Sequence, residues 1–238
     1  MGKVTKGTVR NRLLKELSDE DFDRLAPLLT PVELPKHAVL IEQDGPVLHG
    51  WFIEDGLGSV IAHAPDGDTA ELGLYGFEGF ACVPSILGGG HSQHSLVMQV
   101  GGNGLRLRAD ALQQAMRESE KLHGLMLCYV HYFLTQVGQT AVSNAMHTVE
   151  ERLARWLLMS HDRLDDDRIP LTHEYLSVML AVRRPSVTTA LHVLEGLGYI
   201  RGHRGVVQMR DREGLESFAA SAYGIPEAAY EKMIGPLR

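Results

Sequence analysis

The sequence predicts an α+β chain: a short helical lead-in, a β-rich roll, one long helix and a C-terminal winged helix-turn-helix. Three observations carry that expectation. Turn formers punctuate short β-rich runs over residues 32–107. Helical periodicity follows over 109–161. Residues 171–210 then read as two short helices, a tight turn and a β-hairpin.

With 238 residues, 44% of them hydrophobic, the chain has apolar material for one large or two modest cores, and two domains are expected. Lys3, Lys6 and Arg10 are not followed by an apolar run of signal-peptide type, and no stretch reaches bilayer-spanning length. A cytoplasmic location is therefore expected. Cys82 and Cys128 are far apart and form no C-x-x-C pair, so they suggest neither a disulfide framework nor a structural zinc site. Two buried thiols are the expectation.

In the lead-in, Leu13, Leu14, Leu17, Phe22, Leu25 and Leu28 fall near helical spacing, with Ser18 as an N-cap and Asp21 three residues on. The β-rich stretch is cut by Asp44-Gly45, Asp55-Gly56, Pro65-Asp66-Gly67, Gly76, Gly79, the 88–90 glycine triplet and Gly101-Gly102-Asn103-Gly104. Strands at such spacing suggest a barrel or jelly roll. A short helix then precedes a long one from about Leu122, on which Leu122, Leu125, Tyr129, Phe133, Val137 and Thr140 form a stripe. The stripe continues into the small residues Ala141 and Ala145, as a homodimer seam would, with packing on the chain's own β unit as the alternative. Met146, His147 and Thr148 mark a hinge before a core helix over 151–160 with Leu153, Trp156, Leu157 and Leu158. Residues 162–167 form an acidic connector, read as a solvated loop rather than a metal site.

The C-terminal module has the clearest local signals. Thr172 is placed to cap the first helix, Leu171 and Leu176 to staple it, and Leu176, Met179 and Leu180 to form its buried face. The second helix opens near Pro185, which lacks the N–H that a first turn leaves unpaired, and Arg184 before it is expected outside α geometry. Val187, Ala190, Leu191 and Leu194 give one apolar face; Arg183, Arg184, Ser186, Thr188 and Thr189 stand opposite, with reach for phosphates and base edges in a major groove. Gly198 can end the helix in a left-handed conformation, and residues 200–209, broken by Gly202 and Gly205 around His203 and Arg204, read as a wing. The whole chain carries a net charge of −7, yet over 171–212 six arginines stand against Glu174, Glu195 and Asp211. A locally basic module in an acidic protein attracts phosphate without indiscriminate nucleic-acid binding.

In this order of parts, and most specifically in VEERLARWLLM (149–159) and LTHEYLSVMLAVRRPSVTTALHVLEGLGYI (171–200), the chain resembles the cyclic-AMP receptor protein and fumarate-nitrate regulator (Crp/Fnr) family of bacterial transcription regulators. The resemblance covers nearly all of the chain. It implies a cyclic-nucleotide-binding-type β-roll (jelly roll) over 11–121, a dimerisation helix and hinge over 122–147 and a DNA-binding unit over 148–238. It also implies homodimers on palindromic double-stranded DNA, with RNA polymerase as a further partner.

By the same resemblance, Arg184 falls where the family places its principal base-reading arginine, while Pro185 and Thr189 differ from the glutamate and second arginine of the cyclic-AMP receptor. Thr172, His173 and Ser186 correspond to backbone-contacting positions, and Arg204 lies on the wing. Ala181 stands where the turn usually has glycine. The receptor's operator sequence therefore does not transfer.

The effector end departs further. Where the family's nucleotide binders carry Gly-Glu-Leu and Arg-Ser, the matching places here are Gly79-Phe80-Ala81 and His94-Ser95, with Val137 and Gly138 in place of base-contacting hydroxyls. Phenylalanine cannot accept ribose hydrogen bonds, and a largely neutral histidine is a poor stand-in for a bidentate phosphate arginine. Gly79, Phe80, Cys82, His94, Ser95 and Val137 are the candidate effector-pocket residues, for an effector other than cyclic AMP. An iron–sulfur cluster is excluded for want of N-terminal cysteines. Haem sensing would need an axial ligand from His63, His91, His94, His123 or His131, and redox sensing would fall to Cys82, whose inert burial is the alternative. No P-loop, dinucleotide fingerprint, H-E-x-x-H or nucleophile elbow is present, so an enzyme is not expected and no cofactor or metal site is assigned. A constitutive DNA-binding protein with a ligand-free β-roll is the competing function.

Overall fold

The structure, a computed structural model, describes residues 4–237; Lys3 lies outside them. The chain starts with α1 (Arg12–Glu16) and α2 (Asp19–Leu25). Asn11 Oδ1 accepts from the Leu14 N–H, and Ser18 Oγ from that of Asp21, so each helix has one first-turn donor satisfied by a side chain.

Then come β1 (Thr30–Leu34), β2 (Val39–Ile41), β3 (His49–His63), β4 (Thr69–Tyr75), β5 (Phe80–Ala81), the one-turn α3 (Val83–Ile86) and β6 (Ser95–Arg108). They make one antiparallel six-stranded sheet in the order β1-β6-β3-β4, with β2 also on β6 and β5 on β3. The long β3 and β6 pair from His49↔Arg108 to Ile61↔Ser95, with register shifts between Ile53 and Gly58. Such bulges bend and twist a strand, and here they curl the sheet into a roll that stays open rather than closing as a barrel.

Helices α4 (Ala109–Glu118) and α5 (Glu120–Met146) follow, α5 being 27 residues long and capped by Ser119. It crosses the sheet against β4. Gln136 Oε1 accepts from the Leu74 N–H at 2.6 Å, and the Tyr75 ring stacks on Phe133 with centroids 4.7 Å apart. The stripe from Leu122 to Val137 therefore covers the chain's own sheet: Leu122, Tyr129 and Phe133 are buried and Leu125, Val137 and Thr140 half-buried. What α5 leaves exposed is a different stripe, Gly124, Leu127, His131, Leu134, Gly138, Ala141 and Ala145, at strict alternating spacings of three and four.

His147 is extended, and Thr148 with Glu151 forms a capping box that starts α6 (Val149–Asp162), so the helical axis breaks where the sequence suggested a hinge. Next come β7 (Arg168–Ile169), α7 (His173–Met179), α8 (Arg184–Gly196), β8 (Ile200–His203) and β9 (Val206–Met209), the strands ordered β7-β9-β8. Leu153, Leu157, Leu176, Val187, Leu194 and Ile200 share one core with Leu57, Ile61 and Leu74 of the sheet, so the C-terminal module is seated on the roll. Helices α9 (Arg212–Ala219) and α10 (Ile225–Met233) close the chain. The Tyr230 ring of α10 packs edge-on against Tyr132 of α5 at 4.8 Å.

Two local expectations are corrected. Asp162 is not part of a solvated loop: it is 2% exposed and accepts from Arg212 and Tyr223, because α9 packs on the end of α6. Cys128 is half-buried rather than buried, since its position on α5 lies between the covered and open stripes.

Candidate functional site

Thr172 Oγ1 accepts from the Tyr175 N–H at 3.2 Å and starts α7, whose Leu176 and Met179 turn inward together with Leu180 beyond the helix. The turn to α8 passes through Ala181 at φ 48°, a left-handed conformation that an L-residue adopts only at a cost of about 1 to 2 kcal/mol. Arg152 of α6 donates to the Leu180 carbonyl and holds that turn from behind. Arg183 is the extended N-cap, with φ −70° and ψ 146°, and Arg184 is the first helical residue, one position earlier than Pro185 suggested. A proline at the second helical position also gives up an N–H that has no intrahelical partner, so the helix tolerates it there. Gly198 at φ 83° ends the chain's run beyond α8.

Thr172, His173, Arg183, Arg184, Thr189 and Arg204 are exposed, and Ser186 and Thr188 half-buried, while Val187, Ala190, Leu191 and Leu194 face the core. His173 Nδ1 lies 3.1 Å from Thr188 Oγ1, which ties α7 to α8. Thr188 and Thr189 each donate to the carbonyl four residues back, at 3.2 and 3.1 Å, leaving hydroxyl lone pairs as acceptors. Arg184 pairs with Glu174 of α7, a partner sequence reasoning missed. Exposed Arg201 on β8 is a second omission; its neighbour Gly202 donates to Glu195 Oε1 at 3.1 Å, so the wing is fastened to α8. The result is an α8 N-terminus with two adjacent guanidinium groups, and a basic hairpin fastened near the helix's C-terminal end. A guanidinium can take guanine O6 and N7 bidentately, and hydroxyls and imidazoles can hold phosphates.

A second candidate site is a cavity of about 210 Å³ between the roll and α5. It brings together four residues singled out from sequence, Cys82, His94, Ser95 and Val137, with Ile41, Val60, Leu72, Tyr75, Leu96, Phe133 and Leu134. Gly79 and Phe80 do not line it. Phe80 is fully buried, paired through β5 with β3 and packed on Phe52 with centroids 4.6 Å apart, and Gly79 lies where any Cβ would meet the Tyr129 ring. The lining carries no arginine, lysine or carboxylate. Its polar features are Ser92, Ser95, the Tyr75 hydroxyl, the Cys82 thiol and His94, whose Nδ1 is buried without a partner. Burial pushes the Cys82 thiol up, and Cys82 sits at φ 114°.

Of the other histidines considered as haem ligands, His63 has Nε2 3.0 Å from Ser95 Oγ, and His91, His123 and His131 are exposed. Among the described residues no group of three or more His, Cys, Asp or Glu could hold a metal ion, and no helix is long and apolar enough to cross a membrane.

Residues 151–218 match the Crp-like helix-turn-helix domain family. No curated protein matches the chain by sequence. Solved structures share its fold. FixK2 from Bradyrhizobium japonicum aligns at a TM-score of 0.69 and 16% identity, over 81% of this chain and 98% of its own. The c-di-GMP-responsive global regulator CLP of Xanthomonas campestris aligns at 0.65 and 15%, over 81% and 99%. A Crp/Fnr-family transcriptional regulator from Thermus thermophilus aligns at 0.59 and 17%, over 80% and 98%.

Proposed function

We propose that this chain, with its Crp-like helix-turn-helix domain carried on the fold of Crp/Fnr-type transcription regulators, works as a homodimer that reads a palindromic DNA site through α8. The observation that carries the reading is the basic character of this module's exposed surface: Arg183 and Arg184 stand at the N-terminal end of α8, and the wing at its other end carries Arg201 and Arg204, in a chain whose net charge is −7.

The exposed stripe on α5 supports the dimer. Leu127 and Leu134 are 45% and 60% exposed, and small residues at Gly138, Ala141 and Ala145 let a second copy approach closely. Reading two half-sites requires that a two-fold axis along α5 set two α8 helices about one DNA turn, roughly 34 Å, apart.

The cavity supports an effector that is compact, mostly apolar and not cyclic AMP. A phosphodiester there would bury its charge with no guanidinium to meet it. Leu134 lines the cavity and also stands on the open stripe of α5, so occupancy and the dimer seam share a side chain. Binding that favours one seam geometry shifts the populations of both.

Selection of bound sequences from a random DNA pool tests the reading. The expected product is an inverted repeat with half-site centres about 10 base pairs apart; a pool that stays random under binding conditions counts against it.

A further inference from the structure

The contact between the sheet and the winged helix-turn-helix contains a buried carboxyl that no cation touches. Glu71 of β4 is 5% exposed and meets groups from two other elements. Ser59 Oγ of β3 lies 2.5 Å from its Oε2, and Trp156 Nε1 of α6 donates to its Oε1 at 2.8 Å. Met179 Sδ of α7 lies 3.8 Å from the same Ser59 hydroxyl. The charged and titratable groups facing Glu71 are Arg155 on α6, Arg163 just beyond it and Tyr175 on α7. Neither cation touches it: Arg155 donates to Thr140 Oγ1, and Arg163 is engaged by Glu78. The buried Tyr175 hydroxyl faces the same Ser59 hydroxyl.

For the neutral acid, one assignment of protons serves Glu71, Ser59 and Trp156 together. Its O–H donates to Ser59 Oγ, the Ser59 O–H donates to Met179 Sδ, and the Trp156 N–H donates to the remaining carboxyl oxygen. Ionised, the carboxylate draws the Ser59 proton away from Met179 and leaves a charge in a dry contact without a touching cation. We propose that Glu71 is a proton-operated latch that holds the winged helix-turn-helix on the sheet, closed when the carboxyl is protonated and loosened when it ionises.

Linkage fixes the direction. Burial pushes the Glu71 carboxyl from its ordinary 4.5 up to about 7, with the Ser59 and Trp156 hydrogen bonds opposing. The closed contact therefore binds the proton more tightly than the open one. It is firmest below the ordinary value, weakens as pH rises toward 7 and changes little beyond that. Because His173 and Thr188 join α7 to α8, opening moves the DNA-facing helix with the latch. The latch itself stands on the contact and is independent of whether α8 reads DNA.

Hydrogen exchange of the Trp156 indole N–H in the full chain, corrected for the pH dependence of intrinsic exchange, measures the opening. The expected opening constant is larger than that of the Tyr132 backbone amide, which reports global unfolding, and rises about tenfold between about pH 6 and about pH 8. In Glu71→Gln the Trp156 opening constant is expected to be flat over that range. Equal opening constants for Trp156 and Tyr132 overturn the latch, as does the same pH response in Glu71→Gln. Should that variant not fold, the carboxyl carbon resonance of Glu71 in the unaltered chain decides: a midpoint near 7 supports the latch, and one at the ordinary 4.5 overturns it.

Discussion

Arg163 and Glu78 form an ion pair shut off from water, with Nε 2.7 Å from Oε1 and side chains 0% and 1% exposed. Glu78 precedes β5 and Arg163 follows α6, so the pair joins the roll to the helix that carries the C-terminal module. The guanidinium is further satisfied by the Met159 carbonyl at 2.6 Å and the Tyr132 hydroxyl at 2.5 Å. Removing one partner strands the other's charge in the core. Arg163→Ala is expected to cost about 3 to 5 kcal/mol in chemical denaturation, and Arg163→Met combined with Glu78→Leu to recover most of it. A loss below about 1 kcal/mol in the single variant contradicts this assignment, because that is the size of an exposed pair.

Leu127→Glu on the open stripe of α5 is expected to leave the fold intact, since Leu127 is 45% exposed. Sedimentation equilibrium would then move from a dimer toward the 26.3 kDa chain mass. An unchanged mass would place the dimer seam elsewhere.

Cys82 is 2% exposed and its thiol is pushed up by burial, whereas Cys128 is half-buried. Alkylation of the native protein near pH 8 is expected to label Cys128 first, with Cys82 slower by about tenfold or more, since the thiolate is the reacting form. Preferential labelling of Cys82 would revive its reading as a redox sensor.

Cyclic AMP at about 1 mM is expected to leave the melting temperature unchanged, because stabilisation requires preferential binding to the native state. Compact apolar ligands are expected to raise it, and to lose that effect in Val137→Asp, where a carboxylate enters the cavity wall. A cyclic-AMP-dependent rise would show that the phosphate finds a partner outside this lining.

The winged helix-turn-helix was legible in sequence because its backbone is set by local residues: the Thr172 cap, Pro185, Gly198 at φ 83° and Gly205 at φ 73°. The outward face of α5 was not. Two apolar stripes run along it, and periodicity alone does not say which one the sheet takes. Phe80 and Gly79 stood next to true cavity residues in sequence, but pairing of β5 with β3 turns Phe80 into the core. The Glu71–Trp156 and Glu78–Arg163 contacts each join residues 85 positions apart, beyond the reach of any local signal.

The most direct test of α8 as the DNA-reading element is the affinity of Arg184→Ala for its selected site and for random DNA, at matched salt. The account predicts a loss of about 1 to 3 kcal/mol on the selected site and a much smaller loss on random sequence, because a base-reading guanidinium is used only where its base is present. Equal losses on both would make Arg184 a phosphate contact and contradict the assignment.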